Sequence, residues 1–122
     1  RIRCAKKIND IIIATSKNKS DLNIHKFCKK NKIKCFKGDL NNVYKRFVHL
    51  IEKRNIKHFV RISADSPFID PNLIDRLIIE FEKGNFDIVT NVSPRSFPKG
   101  QSVEVINSES FIKDYKKIKN KN

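Results

Sequence analysis

No apolar run in this sequence approaches the roughly 20 residues that a membrane-crossing helix needs, and no charged-then-apolar leader of the secretory type opens it. A cytoplasmic protein with no membrane partner is therefore expected. Cysteine is scarce: Cys4, Cys28 and Cys35 are odd in number, form no CxxC pair and match no zinc spacing. That excludes a disulfide scaffold and a zinc module, and fits small buried residues in a reducing compartment. Methionine is absent altogether, position 1 included, so the chain is expected to be a fragment of a longer protein. Glycine-rich phosphate loops, a Ser-His-Asp order and paired carboxylates are also missing, and His25, His49 and His58 lack neighbouring ligands for a metal.

Acidic residues are few, 13 against 27 Lys and Arg, giving a net charge of +14 over 122 residues. A basic surface of that strength invites a phosphate backbone as partner. The lysines, however, are spread over nearly every predicted polar surface, and Lys, Asn and Ile are abundant together, as composition bias produces. Nucleic acid is disfavoured as a partner on that ground. With 39% hydrophobic residues and nine Phe, the chain has material for one core and one domain at most.

Residues 1–7 read as the basic tail of a helix. The run Asp10-Ile11-Ile12-Ile13-Ala14-Thr15 reads as a strand buried on both faces. Ser20-Asp21 starts a helix with Ile24, Phe27 and Cys28 inward, followed by a strand at 33–36 and a turn at Gly38 with positive φ. Leu40, Val43, Tyr44, Phe47, Leu50 and Ile51 form the stripe of a helix over 40–54. A strand at 57–63 is followed by a helix over 70–83, with Ile74, Leu77, Ile78 and Phe81 inward and Gly84 closing it. Further strands are predicted at 86–91 and 101–106 around a loop at 93–100. Ser108 caps a last helix through Tyr115, and a charged tail over 116–122 is expected to fray. Strands alternating with helices predict an α/β fold, a mostly parallel Rossmann-like sheet with helices on both faces.

The organising stretch is Arg61-Ile62-Ser63-Ala64-Asp65-Ser66-Pro67, which carries one acid just past the carboxyl end of a strand. Open α/β sheets bind ligands there. Pro67 stops the strand, and Asp70 with Pro71 starts the next helix. Asp65 suits a hard cation with a phosphate, or is simply a turn residue.

Four segments in order carry a resemblance: "RISADSPFIDPNLID" (61–75), "DIIIATS" (10–16), "GDLNNVYKRF" (38–47) and "TNVSPRSFPKGQSVEV" (90–105). Together they resemble the cytidylyltransferases related to spore-coat polysaccharide protein F, within the wider group of CMP-sugar synthetases. The resemblance covers nearly the whole chain and implies a nucleotide-diphospho-sugar transferase type of fold. It implies transfer of CMP from CTP to an acidic sugar, with Mg²⁺ holding the triphosphate and Asp65 as its ligand. It also implies that Thr15 and Ser16 line the nucleotide cleft, and that Arg46 faces a phosphate, unless Arg46 is a solvated helix residue. Arg61 is a candidate for pairing with an acid inside the strand. Arg95, Lys99 and Glu104 would meet the sugar, Arg95 gripping its carboxylate in bidentate fashion; Glu104 faces either the cleft or solvent. Ser102 stands where the family segment often has Asp. The amino-terminal triphosphate loop and the carboxyl-terminal part of the family domain have no counterpart in residues 1–122, so these residues are expected to be the central part of one domain and inactive alone. Related synthetases are often dimers, which makes a homodimer one expected assembly. The competing readings are a sugar nucleotidyltransferase or glycosyltransferase using another nucleotide, and a non-catalytic basic binding module.

Overall fold

Proline fixes the start of the best-defined helix. In the structure, a computed structural model that describes residues 1–120, α3 spans Pro71–Glu82, and the Asp70 side chain accepts from the Asn72 amide at 2.9 Å. This is the expected start: proline has no amide hydrogen to leave unpaired, and the carboxylate satisfies an amide that the helix cannot. Leu73, Ile74, Leu77 and Ile78 form its buried face, with Phe81 packed partly against the same core. Lys83 ends the helix in a right-handed conformation, so the predicted glycine closure at Gly84 is not used.

The chain divides into two compact units, residues 1–9 with 57–111 and residues 10–56 with 112–122. In the first, β3 (His58–Arg61), β4 (Ile88–Thr90) and β5 (Glu104–Asn107) make an antiparallel sheet in the order β3-β5-β4. α3 packs against β4 and β5, and Val103 and Val105 are fully buried among its apolar residues. In the second unit, β1 (Ile12–Ser16) and β2 (Lys34–Gly38) pair in parallel, Ile12 opposite Lys34 and Ser16 opposite Gly38. The mostly parallel sheet predicted from the sequence is thereby corrected: among the described residues two strand pairings are antiparallel and one is parallel. No crossover helix separates β4 from β5, only a loop, and a strand that returns without a crossover runs antiparallel.

Several local expectations shift. Residues 2–4 form a single 3-10 turn. β1 is only half covered until Thr15 and Ser16, because β2 is its one hydrogen-bonded neighbour among the described residues. α1 (Leu22–Lys30) buries Cys28 but leaves Ile24 and Phe27 exposed. α2 (Val43–Arg54) is capped by Asn42, whose side chain accepts from the Lys45 amide at 2.8 Å, so Leu40 precedes the helix and is exposed. α4 (Ser108–Lys119) is capped one residue earlier than predicted: Asn107 accepts from the Ser110 amide at 3.1 Å, while the Ser108 hydroxyl is buried without a partner among the described residues. Of the tail expected to fray, residues 116–119 are helical, and Lys121 and Asn122 lie outside the described residues.

The charge is less evenly spread than the sequence suggested. The second unit holds 17 Lys and Arg against 5 Asp and Glu, and the first holds 10 against 8. Composition bias acts on both units alike, so it does not account for this contrast.

Gly38 is needed for a reason other than a turn. It lies in β2 without positive φ, and a Cβ there would sit 2.3 Å from Arg46 Cγ and 3.2 Å from Arg46 Cα. α2 thus rests directly on the backbone of β2. Replacing Gly38 by Ala is expected to push α2 outward and lower unfolding free energy by about 1–3 kcal/mol, read by urea denaturation. An unchanged midpoint would show that the approach of α2 is not constrained there.

Candidate functional site

The carboxyl ends of β1 and β2 are built around Asp21. Its Oδ2 accepts from the Thr15 hydroxyl at 2.6 Å and the Ser16 amide at 2.9 Å, and its Oδ1 from the Ser20 hydroxyl at 3.2 Å. Ser16 Oγ in turn accepts from the Asn18 amide at 3.0 Å. Those hydrogen bonds, the Thr15 hydroxyl foremost, hold the Asp21 carboxyl well below the usual carboxylate range. The Ser16 carbonyl lies 3.0 Å from His25 Nε2. A carbonyl can only accept, so Nε2 is the donor, and Nδ1 is buried without a partner among the described residues. Thr15 and Ser16 are therefore at the strand end, as expected, but buried, and both hydroxyls are engaged within the protein.

Arg46 sits on α2 across from these residues in the same unit. Its guanidinium donates to three backbone carbonyls, Asp39 at 2.9 Å, Leu40 at 3.1 Å and Ala14 at 3.4 Å. It is neither a solvated residue nor paired to an acid among the described residues; it ties β1 to the loop after β2. In that loop Asp39 Oδ1 accepts from the Asn41 and Asn42 amides, both at 3.0 Å, and these bonds lower the Asp39 pKa.

In the first unit, Asp65 lies in a turn closed by the Ser66 amide donating to Ser63 O at 3.2 Å, directly after β3. A second turn, Ile69 N to Ser66 O at 3.3 Å, follows it, and Ser66 and Ile69 are both buried. Asp65 itself is exposed and makes no hydrogen bond or ion pair among the described residues. No group of three or more metal-ligating side chains occurs among the described residues. One open carboxylate fits a Mg²⁺ ion that arrives with substrate phosphates and its own waters, and does not fit a resident ion held by the protein alone.

The loop between β4 and β5 carries Arg95 and Lys99, both exposed. Arg95 Nη1 donates to Ser102 Oγ at 3.4 Å. Glu104 and Arg61 face each other across the β3-β5 pair and form an ion pair whose hydrogen bond raises the Arg61 pKa. The acid partner anticipated for Arg61 is thus Glu104, although Arg61 is half-exposed rather than buried, and the pair engages the carboxylate that was left facing either cleft or solvent. Two carboxamides that sequence reasoning did not single out organise this loop. The Asn91 side chain donates to Gln101 O at 2.6 Å and accepts from the Val103 amide at 2.9 Å. The Gln101 side chain donates to Phe68 O at 2.6 Å and accepts from the Asp70 amide at 3.0 Å.

A family model for cytidylyltransferases matches residues 1–121. The chain belongs to the cytidylyltransferase family. It is 32% identical over 121 residues to an uncharacterized protein of Methanocaldococcus jannaschii, covering 99% of this chain and 49% of that one. It is 31% identical over 106 residues to the spore coat polysaccharide biosynthesis protein SpsF of Bacillus subtilis, covering 85% of this chain and 42% of that protein. The solved structure of a cytidylyltransferase from Leptospira borgpetersenii has the same fold, with a TM-score of 0.87 at 24% identity over 93% of this chain and 48% of that one. The chain spans about half the length of the curated relatives it matches. Asn91 falls inside the segment that carried the family resemblance, and its partners explain why an amide is needed there. Gln101 falls inside the same segment, but its partners lie more than thirty residues away, so nothing local to it announced its role.

The Asp21 network makes a pH prediction for this cytidylyltransferase chain. A carboxyl with a folded-state pKa below its unfolded value of about 3.9 stabilises the fold above that value. The contribution is lost as pH falls through the lower folded-state pKa. Asp21→Asn is expected to melt at lower urea than wild type at pH 7, with the gap narrowing toward pH 3. A gap that stays constant with pH would contradict this assignment.

Proposed function

We propose that the protein carrying this chain transfers CMP from CTP to an acidic sugar for surface polysaccharide or glycan synthesis. A sugar hydroxyl oxygen attacks the α-phosphorus, its bond to the β-phosphate oxygen breaks, and pyrophosphate leaves. The observation that carries the reading is Asp65, an unengaged carboxylate in the turn directly after β3, within a chain of the cytidylyltransferase family. Mg²⁺, bound with the nucleotide at Asp65, would neutralise triphosphate charge. The remaining work is orientation of two anionic reactants. Arg95 spends one N–H on Ser102 and keeps further donors for a carboxylate. A serine at 102 adds no negative charge beside it, which suits an acidic sugar better than Asp would. Lys99 adds charge on the same loop, and Glu104 acts there through its pairing with Arg61. Thr15, Ser16 and Arg46 shape the nucleotide cleft through backbone geometry, since their polar side chains are already bonded. The reading extends to a Rossmann-like whole domain, a cytoplasmic location and a homodimer.

In the whole protein, Asp65→Asn is expected to lower pyrophosphate release by at least about 100-fold, since losing even a residue that only orients a metal ligand costs about 10- to 100-fold, and to abolish Mg²⁺-dependent CTP binding by calorimetry. Wild-type turnover is expected with CTP and not with ATP, GTP or UTP. Preference for another nucleotide would favour a different sugar nucleotidyltransferase or a glycosyltransferase. The second unit's excess of 17 basic over 5 acidic residues favours one other reading, a basic module for polyanions. It requires binding that weakens steeply with salt and ignores Mg²⁺ and CTP.

A further inference from the structure

Gln101 links two loops that the sequence separates widely. Its own backbone is fixed first: the amide donates to Pro98 O at 3.2 Å, the carbonyl accepts from the buried Asn91 side chain at 2.6 Å, and Gly100 before it adopts φ +85. Asn91 also accepts from the Val103 amide, so it clamps the chain on both sides of Ser102. From that fixed point the Gln101 carboxamide reaches Phe68 O at 2.6 Å and the Asp70 amide at 3.0 Å. An acceptor and a donor two residues apart on an irregular segment can be met by one carboxamide, as a neighbouring strand would meet them. The segment so held begins three residues after Asp65 and ends at the cap of α3. Phe68 lies within the Ser66–Ile69 turn, which follows directly on the Ser63–Ser66 turn that bears Asp65.

We propose that Gln101 is a positioning residue that couples the turn bearing Asp65 to the loop bearing Arg95. Its role in turnover rests on the nucleotidyltransferase reading above; the coupling itself does not. A carboxylate at 101 cannot donate to Phe68 O and would face it with like partial charge, and an aliphatic side chain leaves both exposed groups to water, with no tie to residue 101. Either change releases the 66–70 segment from the Arg95 loop.

The test is amide hydrogen exchange of Gln101→Glu and Gln101→Leu without ligand, alongside global melting. Coupling predicts exchange at least about tenfold faster at Ser66, Ile69 and Asp70 in both variants, with Leu77 and Ile78 in α3 unchanged. Faster exchange confined to Asp70 would overturn the proposal, because the bond would then be local. Uniform acceleration that simply tracks a lower melting point would overturn it too. In the whole enzyme, both variants are expected to raise the Mg²⁺ concentration for half-maximal turnover and to lower kcat by about 10- to 100-fold, and Gln101→Asn, too short to span the gap, is not expected to restore them. A wild-type protein inactive with every nucleotide would defeat the functional reading while leaving the exchange result to decide the coupling.

Discussion

The loops that leave the two sheets carry backbone groups that no strand satisfies, and a polar side chain takes the missing partner's place. Leaving such a group unpaired when buried costs roughly 1–3 kcal/mol, comparable to a sizeable share of a small domain's stability. Asp21 serves the end of β1, Asp39 and Arg46 the loop after β2, Asn91 the loop before β5, and Gln101 the segment before α3. These loops are held by specific bonds as well as by packing, Ile69 and Phe97 being seated in or against the core of the first unit. Asp65 and Arg95 are both exposed; Asp65 makes no hydrogen bond or ion pair among the described residues, and Arg95 gives one N–H to Ser102.

The two units handle their apolar residues differently. In the first, α3 and β5 bury a continuous set, with Ile74, Val103 and Val105 fully covered. In the second, fewer apolar side chains are buried, Cys28, Val48, Leu50 and Ile51, although both units leave large ones exposed, Phe68 and Phe86 in the first and Leu22 and Phe27 in the second among them. The same unit carries nearly all of the excess positive charge. A cytidylyltransferase chain that spans about half the length of its curated relatives thus has one well-filled core and one lightly covered, strongly basic unit.

What could be read from the sequence was what short-range chemistry decides. Asp70 and Pro71 announce the start of α3, and its apolar stripe follows at helical spacing; both lie within a dozen residues. The acid after β3 was legible for the same reason. Strand direction was not, because alternating apolar residues look alike in parallel and antiparallel pairings, and β5 takes its place between β3 and β4 through contacts distant in sequence. Gly38 was misread as a turn because the atom that requires it, Arg46 Cγ, comes from another element. The cap of α4 was missed by one residue, since serine and asparagine are both good caps and only the hydrogen bond to Ser110 distinguishes them. Evenly scattered lysines looked like composition bias until the division into units showed where they gather.

The proposed function requires nucleotide to reach the Asp65 turn together with Mg²⁺ rather than the lysine-rich surface. The direct measurement is amide chemical-shift mapping of this chain during titration with CTP, with and without Mg²⁺. Shifts at residues 63–66 that depend on Mg²⁺ are the predicted result. Shifts gathered on the lysines of residues 26–37, indifferent to Mg²⁺ and reproduced by any polyanion, would contradict it.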